Sequence, residues 1–288
     1  MVGNWEKVLW KKQAYADNYV PQGLYPASLQ KNPNLRPYTY WPLVVLSCSI
    51  TQHLAVIFVF LAVFVRLKEE TLDPRSLVCL SVFSFFIGYI TWNALDGSSR
   101  ASEHFTNHLK TIKSAIMMFL ALMSLSPVLR TLTAATSSDS IWALAAVLFS
   151  LNALLADYTV TEPKNAHEGL SSVLSINAAV SASVVLSSHL PTDASVFSLV
   201  LFSIQSFALF PSLRRRLQLL PIAAWLLTSL VMEVFAIWLF ATLSLVVMWL
   251  IASVLVFVTF FAPAILLWAQ RYKNILRGPW DVAVPKVN

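Results

Sequence analysis

The sequence predicts an all-α, polytopic integral membrane protein of about eight transmembrane helices with both termini cytoplasmic. Three observations carry this. Of 288 residues, 57% are hydrophobic and only 12% charged, about half the charged share of a soluble domain. The apolar residues fall in continuous runs rather than alternating, so the spans are helices and not barrel strands. The cations are also unevenly distributed between alternate connections. A soluble globule, a disordered chain and a collagen-like fibre are excluded by the same composition.

Eight apolar runs are expected to span, at about 20 residues each. The first covers 42–65 and stops at Arg66, and the second covers 76–95 and stops at Asp96. The third, 112–129, is interrupted by Ser126-Pro127, because proline lacks the backbone donor and frees a carbonyl one turn earlier. The fourth is 141–156, the fifth 170–188 and the sixth 194–210. Arg214, Arg215 and Arg216 then join the sixth span to a long apolar stretch, 217–269. At ~1.5 Å per residue that stretch exceeds one crossing, so it divides near Ala241-Thr242 into the seventh and eighth spans. The chain thus reads as a segment 1–41, a helical bundle 42–270 and a tail 271–288.

With eight spans the termini share a side. That side holds sixteen of the twenty Lys and Arg, and only Arg66, Lys68, Arg75 and Arg130 lie opposite. Cations are retained on the cytoplasmic side, so both termini are expected there. The net charge of +6 is therefore an orientation signal and not a sign of nucleic-acid binding. Residues 1–41 contain no apolar core of signal-peptide type. Trp5, Val8, Leu9 and Lys12 share one helical face, which suits either an interfacial helix or a solvated helix packed on the protein.

Chemistry-bearing features are few. Glu233 lies inside the seventh span, where a carboxylate costs roughly 2.5–3.5 kcal/mol and is a functional candidate by default. The bland reading, a carboxyl bonded to a Ser or Thr of a neighbouring helix, is favoured. His104 and His108 stand four apart in a hydrophilic connection, in an order that does not match HExxH and lacks a third ligand. No metal or cofactor is expected. Cys48 and Cys79 read as packing residues. The sequence holds no Gly-rich phosphate loop and no G-x-S-x-G motif, and its longest hydrophilic segment is too short for a nucleotide-binding domain. Lys113, Arg214, Arg215 and Arg216 fall at headgroup level on the cytoplasmic side, where each cation attracts anionic lipid by about 1 kcal/mol. They are the lipid-headgroup candidates. The competing reading makes them topology signal alone. Ser171, Ser172, Ser175, Ala178, Ala179 and Ala182 mark the fifth span as a close helix-packing face.

The order of short blocks along the chain resembles the PIG-C family, a family of membrane subunits of phosphatidylinositol N-acetylglucosaminyltransferase. The blocks are Trp5, Lys7-Val8-Leu9, Gln13 and Asp17-Asn18-Tyr19-Val20; Ile87-Gly88-Tyr89 and Asp96-Gly97; Lys113-Ser114-Ala115, Ser126-Pro127-Val128-Leu129 and Thr131-Leu132-Thr133; Asp157-Tyr158; Asn177-Ala178 and Leu190-Pro191; Ile204-Gln205 and Phe207-Ala208-Leu209; and Lys273-Asn274-Ile275 with Gly278-Pro279-Trp280-Asp281.

This resemblance implies a multi-pass endoplasmic reticulum protein in a hetero-oligomer that transfers N-acetylglucosamine from UDP-GlcNAc to phosphatidylinositol, the first step of glycosylphosphatidylinositol anchor synthesis. It also implies that the sugar-nucleotide site belongs to a different, catalytic chain. This chain is then a non-catalytic scaffold that helps present phosphatidylinositol. On that reading Trp5, Asp17, Asn18, Tyr19, Pro127, Gly278, Pro279, Trp280 and Asp281 are partner or assembly candidates. Two rivals stand beside it: a small-molecule or lipid transporter, and a lipid-modifying enzyme using Asp96, Asp157 and the histidine pair.

Overall fold

The computed structural model describes residues 12, 14, 30–31, 38–95, 101–133, 135–158, 166–218, 220–273 and 276–277. For 30–31, 101–109, 166–171 and 276–277 it describes the backbone alone. The described residues are almost entirely helical: α1 (Tyr40–Lys68), α2 (Pro74–Leu95), α3 (Ala101–Thr131), α4 (Ser138–Leu155), α5 (Ala166–Ser187), α6 (Asp193–Ile204), α7 (Phe210–Leu217), α8 (Ile222–Ala241), α9 (Leu245–Val256) and α10 (Ala262–Gln270). Two π-helical turns, Gln205–Leu209 and Phe257–Phe261, join α6 to α7 and α9 to α10 without a break. Counting each joined pair as one, seven helices among the described residues are long and apolar enough to cross a membrane, and α5 contributes a shorter apolar stretch, Ser172–Ser187.

The chain divides into two compact units. In the smaller, Met1–Leu43 with Pro263–Asn288, strands β1 (Gln30–Lys31) and β2 (Leu276–Arg277) pair antiparallel, with Gln30 opposite Arg277. The Tyr38 N–H donates to Gln270 Oε1 at 3.2 Å. The residues flanking the bundle on either side in sequence therefore meet each other.

The larger unit, Val44–Ala262, is organised around α1. From residue 54 to residue 65 that helix is apolar on all sides, the pattern of a span enclosed by other helices, and most of it is buried. One face carries Phe60, ringed by Phe149, Phe202 and Phe207 at centroid distances of 5.4–6.2 Å. The opposite face is a small-residue seam, Ala55, Val59 and Ala62, which packs on Ala236, Leu239, Phe240, Ile251 and Leu255 of α8 and α9. Lipid tails are as apolar as leucine, so close backbone approach at small side chains holds helices together here. The fifth span bears out its expected packing face: Ser175, Ala179, Ala182 and Leu186 are buried, at a four-three-four spacing that keeps them on one stripe. Cys48 is buried, as expected of a packing residue, whereas Cys79 is exposed on α2; both thiols are free.

Helix ends follow local chemistry. Glu70 adopts φ 57°, and the Thr71 N–H donates to the Arg66 carbonyl while Glu70 donates to Leu67, which closes α1 with a Schellman turn. Asp73 Oδ1 accepts the Arg75 N–H at 3.0 Å and Pro74 begins α2, pairing a capping acid with proline in the first turn. Thr192 caps α6 by accepting from Ser195 at 3.1 Å.

Three sequence expectations are corrected. Helix α3 runs unbroken through Pro127 to Thr131, although the proline lacks the N–H that would bond four residues back. It also begins at Ala101, so the backbone of His104 and His108 is helical rather than a hydrophilic connection. The arginines 214–216 do not form a connection either. They lie in α7, continuous with α6, because the π turn ahead of Pro211 carries the helix past it: the Phe210 N–H donates to Gln205, five residues back. The same arrangement precedes Pro263, where the Ala262 N–H donates to Phe257. A proline ring collides with the carbonyl four residues back in an α-helix, and a local π register moves that carbonyl.

Candidate functional site

Two polar layers close the ends of the larger unit. At one, Arg66 reaches the Leu239 carbonyl at 3.1 Å and the Thr242 hydroxyl, and Arg130 pairs with Asp193 at 2.8 Å. Burial and the nearby Lys68 charge hold the His189 imidazole there below its usual range.

The other layer is richer and holds the triple arginine. Arg214 is only 2% exposed. Its Nη1 donates to the Ser49 carbonyl and its Nη2 to the Asp157 carbonyl, both at 3.2 Å. Arg215 pairs with the Asp157 carboxylate at 3.0 Å. Gln218 donates to Ser49 Oγ at 2.9 Å. The end of α7 is thereby tied to the early turns of α1 and to the segment after α4. Tyr158 lies beneath Arg214, 5.5 Å from guanidinium carbon to ring centroid, and its hydroxyl donates to Ala153 at 2.6 Å. Burial pushes the Tyr158 phenol up to about 12 against the opposing pull of Arg214, so it remains a neutral donor.

One turn deeper, His53 Nε2 shares a 2.8 Å hydrogen bond with Asn152 Oδ1. The Asn152 amide donates to the Ser175 carbonyl and hydroxyl, both at 2.9 Å, and Ser175 Oγ donates to the Asn152 carbonyl at 2.8 Å. Such a closed set suits helices in lipid, where an unpaired polar group is costly.

Arg216 points differently from its neighbours. Its guanidinium carbon lies 3.6 Å from the centroid of Trp92 on α2, in cation–π geometry. The headgroup candidates are therefore not one patch. Arg214 is internal, Arg215 is paired, and Arg216 is half-buried beside Trp92. Lys113 is exposed on α3 and lines a separate shallow concavity with Lys110, Ser114 and Met117. Pro127 lies at the far end of α3, next to Ser126, whose hydroxyl donates to the Asp193 carbonyl. Trp5, Asp17, Asn18, Tyr19, Gly278, Pro279, Trp280 and Asp281 lie outside the described residues, as do Asp96 and nearly all of the expected head helix.

Sequence reasoning passes over Ser49, Trp92 and Asn152. An Asn within an apolar run is the available signal for Asn152, by the same logic that singles out Glu233. Glu233 itself is half-buried on α8 and meets the Thr51 side chain of α1, as the favoured reading expects. Among the described residues no three His, Cys, Asp or Glu side chains gather as a metal site would require. Asp157, held by two arginines, serves here as an anchor.

The sequence pattern of the GPI2 family, phosphatidylinositol N-acetylglucosaminyltransferase, matches residues 5–281. The chain belongs to this family. It is 38% identical to the phosphatidylinositol N-acetylglucosaminyltransferase GPI2 subunit of Schizosaccharomyces pombe, over 98% of this chain and 87% of the relative. It is 32% identical to the C-subunit of the human phosphatidylinositol N-acetylglucosaminyltransferase, over 97% of this chain and 92% of the relative. The Saccharomyces cerevisiae GPI2 subunit is 24% identical over 98% and 97%. No solved structure matches the chain. The match takes in both polar layers and all of the spans, so the family assignment covers the whole bundle.

Proposed function

We propose that this chain is a non-catalytic membrane subunit of a complex that transfers N-acetylglucosamine from UDP-GlcNAc to phosphatidylinositol. It resides in the endoplasmic reticulum membrane with both termini in the cytoplasm. It holds the catalytic glycosyltransferase chain at that surface and presents the phosphatidylinositol headgroup to it, with no cofactor of its own. Segments 1–41 and 271–288 serve the partner contacts and 42–270 the membrane.

The observation that carries this reading is the end-to-end match to relatives named as transferase subunits. The richer polar layer supports the presenting role. Its cations stand at the end of the bundle that the charge distribution assigns to the cytoplasm, where a phosphodiester lies. Arg214 and Arg215 are spent on fixing that end, and a fixed surface accelerates a reaction by positioning rather than by acid or base chemistry. Nothing in the geometry favours the transport alternative.

The test is purification of the tagged chain in mild detergent. Co-purification with a glycosyltransferase chain, and transfer activity in the assembly but not in the isolated folded chain, is the expected result. Sugar transfer by the isolated chain sinks the non-catalytic reading.

A further inference from the structure

Glu233 belongs to neither polar layer. It lies eleven residues beyond the start of α8, about 16 Å along the helix at helical rise, and so near the middle of a hydrocarbon core about 30 Å thick. Ser229, Ala236 and Phe240, respectively four residues before it, three after and seven after, are buried. Leu226 and Leu230, seven and three residues before it, are exposed, and Ile237, four after, is half-buried. At about 100° per residue the first set falls on one side of Glu233 and the second on the other. The carboxyl therefore stands at the rim of the α1–α8 contact, with Thr51 on one flank and a lipid-facing stripe on the other. Thr51 covers little of it. Its single hydroxyl hydrogen is also within reach of the Ser47 and Cys48 carbonyls, both at 3.3 Å, so it offers at most one hydrogen to a group with about four acceptor positions. Among the described residues no Lys or Arg pairs with Glu233. Lipid tails supply no donor at this depth, and ionisable side chains inside membranes pair with one another or face a cavity.

We propose that the stripe Leu226–Leu230–Glu233–Ile237 seats a transmembrane helix of another chain, and that this helix carries a Lys or Arg at the depth of Glu233. The spacing of four, three and four residues is that of a seam along which two helices interlock. Leucine against lipid is little worse than leucine against a second helix, so the apolar members of the seam give contact without choosing a partner. The choice falls to the one charge, because a single polar position in an apolar seam fixes register and partner. A cation opposite Glu233 compensates both charges where neither is hydrated. A second copy of this chain would instead bring carboxyl to carboxyl, which disfavours the charged form of each. That the seated helix belongs to a transferase subunit rests on the function proposed above; its cationic chemistry does not.

The experiment places photoreactive benzoylphenylalanine at one position of α8 at a time in the full chain, irradiates native membranes and purifies the products in mild detergent. In place of Leu226 or Leu230 it is expected to cross-link one partner chain, at a peptide with a Lys or Arg within about one helical turn of the attachment point. In place of Leu227 or Val231, which are exposed but turned more than about 100° away from Glu233, it is expected to attach to lipid alone. This arm leaves Glu233 unaltered, so it decides the question even where a Glu233 variant fails to fold. Glu233→Leu should lower co-purification of that partner about tenfold. The Tm of the isolated chain should hold, since Thr51 keeps the carbonyls of its own helix. Glu233→Lys should fail to assemble and should recover when the partner's cation is replaced by glutamate. Cross-links from Leu226 and Leu230 to lipid alone, to a second copy of this chain, or to a helix with no cation at that depth overturn the proposal. So does full assembly of Glu233→Leu. If the cross-linked chain carries the cation but is no part of a sugar-transferring assembly, the seat stands and the proposed function fails.

Discussion

Asn152 and Ser175 bond each other reciprocally across α4 and α5: the amide of Asn152 donates to the carbonyl and hydroxyl of Ser175, and the Ser175 hydroxyl donates back to the Asn152 carbonyl. His53 of α1 closes the set, so three helices share one buried polar junction. Asn152→Leu should destabilise the bundle by about 1–2 kcal/mol, the worth of interhelical hydrogen bonds in membranes. Ser175→Ala should cost less, because Asn152 keeps the carbonyl as acceptor. Thermal unfolding in detergent separates the two, and equal costs would contradict this ranking.

Arg214 should tolerate no replacement. Arg214→Gln leaves the Ser49 and Asp157 carbonyls short of donors in a buried site, at about 3 kcal/mol. Arg214→Lys should rescue little, since a point charge cannot serve two carbonyls from one planar fork. Arg215→Gln, which removes a partly exposed pair, should cost under about 1 kcal/mol. A Tm series ordered in any other way argues against the anchoring role of Arg214.

Tyr158 gives a pH signature. Its folded-state value near 12 lies above the ordinary phenol value of 10.0, so the folded protein holds this proton more tightly than the unfolded chain. The associated stability is fully present below pH 10 and is lost as pH rises from 10 toward 12. An ultraviolet titration at alkaline pH should show one late-ionising phenol that Tyr158→Phe removes. Ionisation with the bulk of the tyrosines would show that the residue is not enclosed.

Glu70→Gly should stabilise the protein by about 1 kcal/mol. The position is exposed with φ 57°, where glycine carries no Cβ penalty. Ala62→Leu should do the reverse: it overpacks the seam between α1 and α8 at about 1–3 kcal/mol. Chemical denaturation checks both signs.

The legible part of the fold is what lipid imposes. Long apolar runs must be helices, and the split near Ala241 falls at the observed turn between α8 and α9. Helix α3 starts eleven residues before its apolar run because residues 101–111 are polar yet continue the helix, and hydropathy reports only the part that lipid touches. The arginines are harder. Arg214, Arg215 and Arg216 are chemically identical and adjacent, and a charge rule treats them alike. Their separation into anchor, ion pair and aromatic partner depends on which direction each faces, and that is set by Ser49, Asp157 and Trp92 from three other parts of the chain. Pro211 reads in sequence as the end of the sixth span, since no hydropathy pattern signals a π turn.

That π turn also sets the phase of everything after it. Five residues in Gln205–Leu209 occupy a widened coil, in effect one residue more than an α-helix would use. Each residue of an α-helix turns the side-chain direction by about 100°. A chain shortened by one residue here would keep the same apolar span and the same three arginines. It would also swing Arg214 away from the Ser49 and Asp157 carbonyls and move Arg216 off the Trp92 ring. The angular setting of this cationic end is thus stored in the helix interior, several residues before the charges it orients.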